Sequence, residues 1–274
     1  MKKTEAAWIL FQVWKIAIGI LIISPLLVGL SLSFMGPAEM ASIPPNFIHK
    51  EPVIRTYQNA LRTAPLFYFM VNSVVVCAIV IMGQFLTCSF AAYAFSFYKF
   101  KGQRFLFLLI LATMMIPADA IIIANYLTIA QFRLTDTYIG LTAPYLTGAM
   151  GIFLLRQFFL TIPKELREAA LIDGCGDIRF LFTVVMPVSK PAFACLGIYV
   201  FIQIYNQFFW PLLVTNTNRM RTVQVGMSIL QAGEAVDYGA VLAGAVIILV
   251  PAIFVFLAGQ KHLVQGMTAG AVKG

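Results

Sequence analysis

Apolar residues in this chain gather into six long runs separated by shorter polar connections. The runs extend from Ile16 to Phe34, Phe67 to Phe95, Phe105 to Ile129, Ile139 to Phe159, Ala192 to Thr215 and Tyr238 to Ala258. A helix rises about 1.5 Å per residue, so roughly 20 apolar residues cross the hydrocarbon of a bilayer. Each run meets that length. The pattern predicts an all-α, polytopic membrane protein with six transmembrane helices in a single domain over 1–274. Pro25, Pro117, Pro144, Pro211 and Pro251 fall inside the runs. Membrane helices tolerate such breaks when neighbours satisfy the freed backbone groups, so the prolines argue for a packed bundle.

Composition agrees with lipid as the solvent. The 274 residues are 61% hydrophobic and 11% charged, with a mean hydropathy of +0.89. Soluble domains carry about 25% charged residues to wet their outer surface. The same figures exclude a disordered chain, a disulfide-stapled secreted module and a soluble nucleic-acid binder.

The net charge of +8 is therefore read by position. With the N-terminus inside, the inner segments carry Lys2, Lys3, Lys15, Lys99, Lys101, Arg104, Arg156, Lys164, Arg167, Arg179, Lys190, Lys261 and Lys273. The outer loops hold only Lys50, Arg55, Arg62, Arg133, Arg219 and Arg221. This bias places both termini in the cytoplasm. The first apolar run exceeds the 7–15 residues of a signal core, and no small-x-small site follows it before Gly36, so it is expected to be retained.

Metal and disulfide chemistry find no foothold. Cys77, Cys88, Cys175 and Cys195 form no CxxC pair. Cys77 and Cys88 lie about 16 Å apart along one helix, too far to bridge. His49 and His262 fall on opposite sides of the membrane, and no nucleophile, base or ligand cluster converges at one depth as an enzyme would need.

The inner connection over about 161–190 is the most informative stretch. Pro163 suits a first helical turn, Glu165 favours its positive end, and Gly174 suits a left-handed stop. A short helix from Pro163 to Asp173 follows, with Leu166, Ala169, Ala170 and Asp173 on one small-residue stripe. A second amphipathic stretch, Asp177 to Val185, leads to Pro187 and Pro191, which separate it from the fifth run. The result is a helix-turn-helix able to receive another surface closely. A plain connecting loop is the alternative that the residues alone leave open.

Glu168-Ala169-Ala170, Asp173-Gly174 and Pro187 resemble the EAA loop of ATP-binding-cassette import permeases. With Phe180 and Pro191, they resemble the carbohydrate-uptake branch containing maltose-type, multiple-sugar and glycerol-3-phosphate permeases. The similarity continues through Phe153-Leu-Leu-Arg-Gln-Phe-Phe, Asn206-Gln-Phe-Phe-Trp-Pro-Leu, Arg221-Thr-Val-Gln-Val-Gly and the tail from Gln265 to Gly274. Cys175 stands where the pattern usually has a small Ala, a change its size should allow. The resemblance implies the shorter, six-span member of a permease pair in a bacterial inner membrane, working with two copies of an ATPase and an extracytoplasmic sugar-binding protein. Glu168, Ala169, Ala170, Asp173, Gly174 and Pro187 would form the ATPase-coupling interface. The tail from Gln260, through Gln265, Gly266 and Gly270, would contact the ATPase pair; its poverty in apolar residues leaves a frayed end as the alternative. The chain would be non-catalytic and hold no cofactor. It lacks the G-x-x-x-x-G-K motif followed by Ser or Thr, so ATP and Mg belong to the partner.

Among polar residues in the spans, Asp119 stands two residues after Pro117. An acid facing lipid would cost at least about 2.5–3.5 kcal/mol, so it should face the bundle or water. Substrate-path lining, helix capping and subunit packing remain open for it. Asn72, Asn206 and Gln207 join it as path candidates, with Gln84, Asn125 and Gln203 behind them. Interhelical hydrogen bonding explains these amides equally well. Tyr205 and Trp210 are suited to sugar stacking or to an interfacial position. A carbohydrate importer is the leading reading, with a glycerol-3-phosphate importer and an ion-coupled secondary transporter as alternatives. One acid and no evident matching halves weigh against the latter. The absence of Lys or Arg deep in a span favours a neutral saccharide.

Overall fold

The computed structural model describes residues 2–36, 39, 53–232 and 236–269, with backbone alone for 2–7 and 262–269. The described residues are helical, without a strand. Three helices are long and apolar enough to cross a membrane unaided: Trp8–Leu32 within α1 (Lys2–Leu32), α3 (Leu66–Phe97) and Tyr238–Lys261 within the last helix. Between α1 and α3 lies the short α2 (Arg55–Thr63). Bent pairs supply up to three further spans.

The first bent pair joins α4 (Gln103–Ala112) and its 3-10 extension to α5 (Ala118–Gln131), bent by 96°. Pro117 causes the break, because a residue before proline is pushed out of the helical region. Ile116 is accordingly extended, with φ −83° and ψ 118°. The second pair, bent by 52°, joins α6 (Tyr138–Thr142) and a 3-10 turn carrying Pro144 to α7 (Ala149–Phe159). Its freed carbonyls are met by three residues on consecutive turns of α3. Gln84 Nε2 donates to Tyr145 O at 3.0 Å, Thr87 Oγ1 to Leu146 O at 2.8 Å and Cys88 Sγ to Gly148 O at 3.5 Å. This is how a membrane bundle accommodates a broken helix.

The inner connection contains α8 (Lys164–Ile172) and α9 (Asp177–Val188), the latter including a π turn at Leu181–Val185. A bend of 80° at Ser189 leads into α10 (Lys190–Tyr205). The apolar run expected to reach Thr215 breaks at Asn206–Phe208 and resumes as α11 (Phe209–Val214). Then come α12 (Val223–Gln231) and α13 (Tyr238–Ala269). Beyond the sixth apolar run, the tail from Gln260 continues α13 to Ala269. Gln, Lys, Leu and Met in that stretch are good helix formers, and extending an existing helix avoids the cost of nucleation. Gly270 and Lys273 lie outside the described residues, as do His49 and Lys50.

The chain divides into two compact units, 1–67 with 226–250 and 68–225 with 251–274. In the first, the end of α1 is tied to α2: Thr56 Oγ1 donates to Ser33 O at 2.6 Å, and Ser33 Oγ and Tyr57 OH share a bond of 2.7 Å. In the second, Val80, Cys88, Leu155 and Leu196 are fully buried where α3, α7 and α10 pack. The cysteines are free thiols. The apolar side chains of α1, with Trp8 63% and Leu21 71% exposed, are left for lipid or another chain.

The connections at the opposite end from α8 are pinned by side chains. Asn72 Nδ2 donates to Arg219 O and Arg221 O at 2.9 and 3.0 Å, while its Oδ1 accepts from Tyr138 OH at 2.7 Å. Asp136 sits at φ 59° and accepts from Asn216 N, Thr217 N and Thr217 Oγ1 at 2.9, 3.1 and 2.7 Å. Desolvation pushes the Asp136 pKa up, but the bonds from Thr217 and Asn216 and the nearby Arg221 charge outweigh it and leave it lowered. With the folded pKa depressed, the carboxylate's contribution is present above the ordinary Asp range and fades as pH falls through the folded pKa. Asp136→Ala should loosen the 214–221 turn by about 1–2 kcal/mol, at the low end for hydrogen bonds to a charge because solvent screens the site. Amide hydrogen exchange across 214–221 reads this: exchange should quicken in the variant at neutral pH, and the difference should shrink as pH falls through the lowered folded pKa.

Candidate functional site

The inner connection forms one candidate site. Pro163 caps α8 with extended backbone and Glu165 lies in its first turn, where a negative charge meets the positive helix end. Gly174 has φ +70°. Gly174 N donates to Leu171 O at 3.1 Å and Cys175 N to Ala170 O at 2.8 Å, the two bonds of a Schellman stop. No residue of α8 is buried; Leu166, Leu171 and Ile172 are 41%, 57% and 87% exposed. Glu168, Ala169, Asp173 and Gly174 are exposed and Ala170 is half-buried. Pro187 is exposed on α9, just before the bend into α10. A helix that leaves Leu166, Leu171 and Ile172 exposed beside small Ala169 is suited to receiving a partner.

The connection is anchored to the end of α3 by contacts that sequence reasoning did not foresee. The Asp177 carboxylate accepts from Tyr93 OH at 2.9 Å, Tyr98 OH at 2.5 Å and Arg167 Nη2 at 3.3 Å. Arg167, in the middle of α8, also donates from Nη1 to Phe97 O at 2.6 Å. Phe180 is 1% exposed and packs against the rings of Tyr93 and Phe97. The partners on α3 lie 70 or more positions away in the chain from Arg167 and Asp177, and no local pattern announces them.

The second candidate site is a cavity of about 550 Å³ where two helix breaks meet. The start of α5 contributes Asp119, the break after α10 contributes Asn206, Gln207 and Phe208, and Gln203, Tyr145, Phe209 and Trp210 complete the polar and aromatic lining. An adjoining cavity of about 360 Å³ shares Ala118, Tyr145, Gln203 and Gln207. None of the described residues lining either cavity is basic. Asp119 is exposed and makes no hydrogen bond or ion pair among the described residues. Asn206 keeps contact with the chain through Ile202 O at 2.9 Å and Gln224 Nε2 at 3.3 Å.

The remaining sequence candidates have structural partners of their own. Asn72 does not line this cavity, because its whole amide is taken up by the 219–221 turn and Tyr138. Gln84 borders the smaller cavity while bonding the α6–α7 break. Tyr205 is buried, stacked on Phe201 at 5.0 Å, and Trp210 is buried with its Nε1 on Leu141 O at 3.2 Å. Gln265 and Gly266 fall on the helical extension of α13.

Comparison with known proteins supplies the lineage. The chain is 34% identical over 203 residues to the arabinooligosaccharides transport system permease protein AraQ of Halalkalibacterium halodurans, covering 74% of this chain and 73% of that one. It is 37% identical over 198 residues to the sn-glycerol-3-phosphate transport system permease protein UgpE of Brucella abortus, covering 72% and 70%. Its fold matches a chain of a bacterial ABC transporter that imports the acidic polysaccharide alginate, with a TM-score of 0.79, 21% identity, and 95% and 98% of the two chains covered. Residues 51–269 match the family model of the binding-protein-dependent transport system inner membrane component, and the chain belongs to that family.

Proposed function

We propose that this permease carries carbohydrate across the bacterial inner membrane as one of two homologous permease chains, with both its termini in the cytoplasm. Two copies of an ATPase bind ATP and Mg, and one of them docks on α8. An extracytoplasmic binding protein delivers the sugar to the other side. The chain itself performs no chemistry and needs no cofactor. The observation that carries this reading is α8, a capped helix with no buried residue and with exposed Leu166, Leu171 and Ile172. In an aqueous connection such a surface is stable when a partner covers it.

The cavity supports the substrate class. Gln203, Asn206 and Gln207 supply donors and acceptors suited to sugar hydroxyls, Tyr145 adds a phenol and ring, and Asp119 accepts from hydroxyls without a basic neighbour in the lining. The names of the relatives support both a neutral oligosaccharide and sn-glycerol 3-phosphate. The lining favours the first.

Right-side-out vesicles loaded with ATP, with the proton gradient collapsed and the binding protein outside, test both points. Arabinotriose should enter only when ATP is inside. Uptake driven by the gradient alone would make the chain part of an ion-coupled transporter, and uptake of glycerol 3-phosphate in place of arabinotriose would overturn the sugar assignment. Gln207→Leu should raise the KM for uptake about three- to tenfold, the cost of one lost hydrogen bond to substrate, while ATPase copurification stays unchanged.

A further inference from the structure

We propose that Asp177 is a positioning residue for energy coupling: its carboxylate latches α8 to the cytoplasmic end of α3, so that movement of α8 is passed to that span. The inference rests on the reading of α8 as the ATPase-docking helix. It adds a residue outside the docking surface.

The geometry is that of a hub. Tyr93 lies within the last turns of α3 and Tyr98 directly after it, and both phenols donate to Asp177, at 2.9 and 2.5 Å. Arg167 reaches the same carboxylate at 3.3 Å from the middle of α8 and holds Phe97 O at 2.6 Å with its other arm. One carboxylate therefore joins three pieces of chain: α8, the start of α9 and the end of α3. The Arg167–Asp177 contact is the ion pair of this cluster. Phenol and guanidinium bonds to a carboxylate are charge-assisted and directional, so they resist sliding better than apolar contact alone. Beneath them, buried Phe180 against Tyr93 and Phe97 gives the joint a packed floor.

The surface of α8 itself does little to fix its orientation. None of its residues is buried, and its apolar side chains face outward. Arg167 is its side-chain tether to the bundle, and that tether ends on Asp177 and Phe97 O. A push delivered to Leu166, Ala169 or Ile172 by a partner would be absorbed as rocking of α8 if the carboxylate were neutralised. With the latch intact, the push reaches α3, which carries Gln84, Thr87 and Cys88 onto the α6–α7 break.

The test uses the complex of this chain with its partner permease and ATPase, purified through a tag on this chain. Asp177→Asn keeps the shape and removes the charge. It should retain the ATPase within about twofold of wild type, lower the kcat for ATP hydrolysis about tenfold with little change in KM for ATP, and speed hydrogen exchange over 164–172. Asp177→Glu should recover much of the rate, and Tyr98→Phe, which removes one donor from the exposed side, should fall between. Wild-type kcat in both Asp177→Asn and Tyr98→Phe would overturn the latch. Loss of ATPase retention in both would also overturn it, since the residue would then serve assembly alone. Ala170→Arg is the separate control: if that variant keeps its ATPase, the docking reading of α8 falls, whatever Asp177 does.

Discussion

A permease carrying Ala170→Arg is expected to reach the membrane at normal abundance and to lose both transport and its ATPase. Arginine is nearly as good a helix former as alanine, so α8 itself should persist. The Schellman bonds at its end involve backbone only, with Cys175 N on Ala170 O and Gly174 N on Leu171 O, and no side chain at 170 is needed for them. What changes is the small stripe. Ala170 is half-buried beside exposed Ala169 and Leu166, where a long cation replaces a methyl at the point of closest approach. Blocking the centre of an interface typically costs about 2–4 kcal/mol, or ~30- to 1000-fold in affinity. Copurification of the ATPase with the tagged permease, at matched membrane abundance, reads this directly. Gly174→Asp should act in the same direction and more weakly, because at φ +70° a side chain strains the stop without filling the surface. Full transport by the Ala170→Arg protein would make docking through α8 untenable.

Much of this site was legible in local sequence because its determinants are local. Pro163, Glu165 and Gly174 fix the ends of α8 within one short segment, and the structure gives that helix the same bounds to within a residue. Pro117 foretells a break, yet neither its 96° angle nor the meeting of its exposed Asp119 with the Asn206–Phe208 break can be read from a run of apolar residues. Asn72 shows the limit of treating polar residues in spans as path candidates. An amide there serves a loop carbonyl as readily as a sugar hydroxyl, and only the position of the 219–221 turn decides. Asp177 fails for a related reason: in sequence it looks like an acid in a first helical turn, while its role comes from Tyr93 and Tyr98 on a distant span. The helical end of α13 could not be read from apolar content, because poverty in apolar residues bears on burial, whereas continuation of a helix depends on propensity.

The second large effect is expected from a single methyl group at Gly140. A Cβ built there would sit 2.2 Å from Leu134 O and 3.1 Å from Leu134 C. The obstacle is backbone, and that backbone is held on both sides. Arg133 and Asp136 flank it at φ 56° and 59°, Asp136 N donates to Val214 O at 2.7 Å, and the Asp136 carboxylate holds Asn216 and Thr217. Gly140 N is itself engaged by the capping Thr137 Oγ1 at 3.1 Å. Relief requires moving either the start of α6 or a loop tied to the 214–217 turn, so Gly140→Ala should cost about 2–3 kcal/mol or more. Gly259 provides the contrast at the same distance, because a Cβ there would meet Ile198 Cδ1 at 2.2 Å. Cγ1 of the same residue lies at 2.9 Å, but both atoms belong to a rotatable side chain that can give way for about 1 kcal/mol, where the Leu134 backbone cannot. Thermal loss of the monodisperse peak in detergent should therefore come markedly earlier for Gly140→Ala than for wild type, while Gly259→Ala stays close to wild type. Equal shifts in the two variants would show that the 133–140 loop yields as easily as an isoleucine rotamer, and the rigidity assigned to the Asp136 anchor would have to be given up.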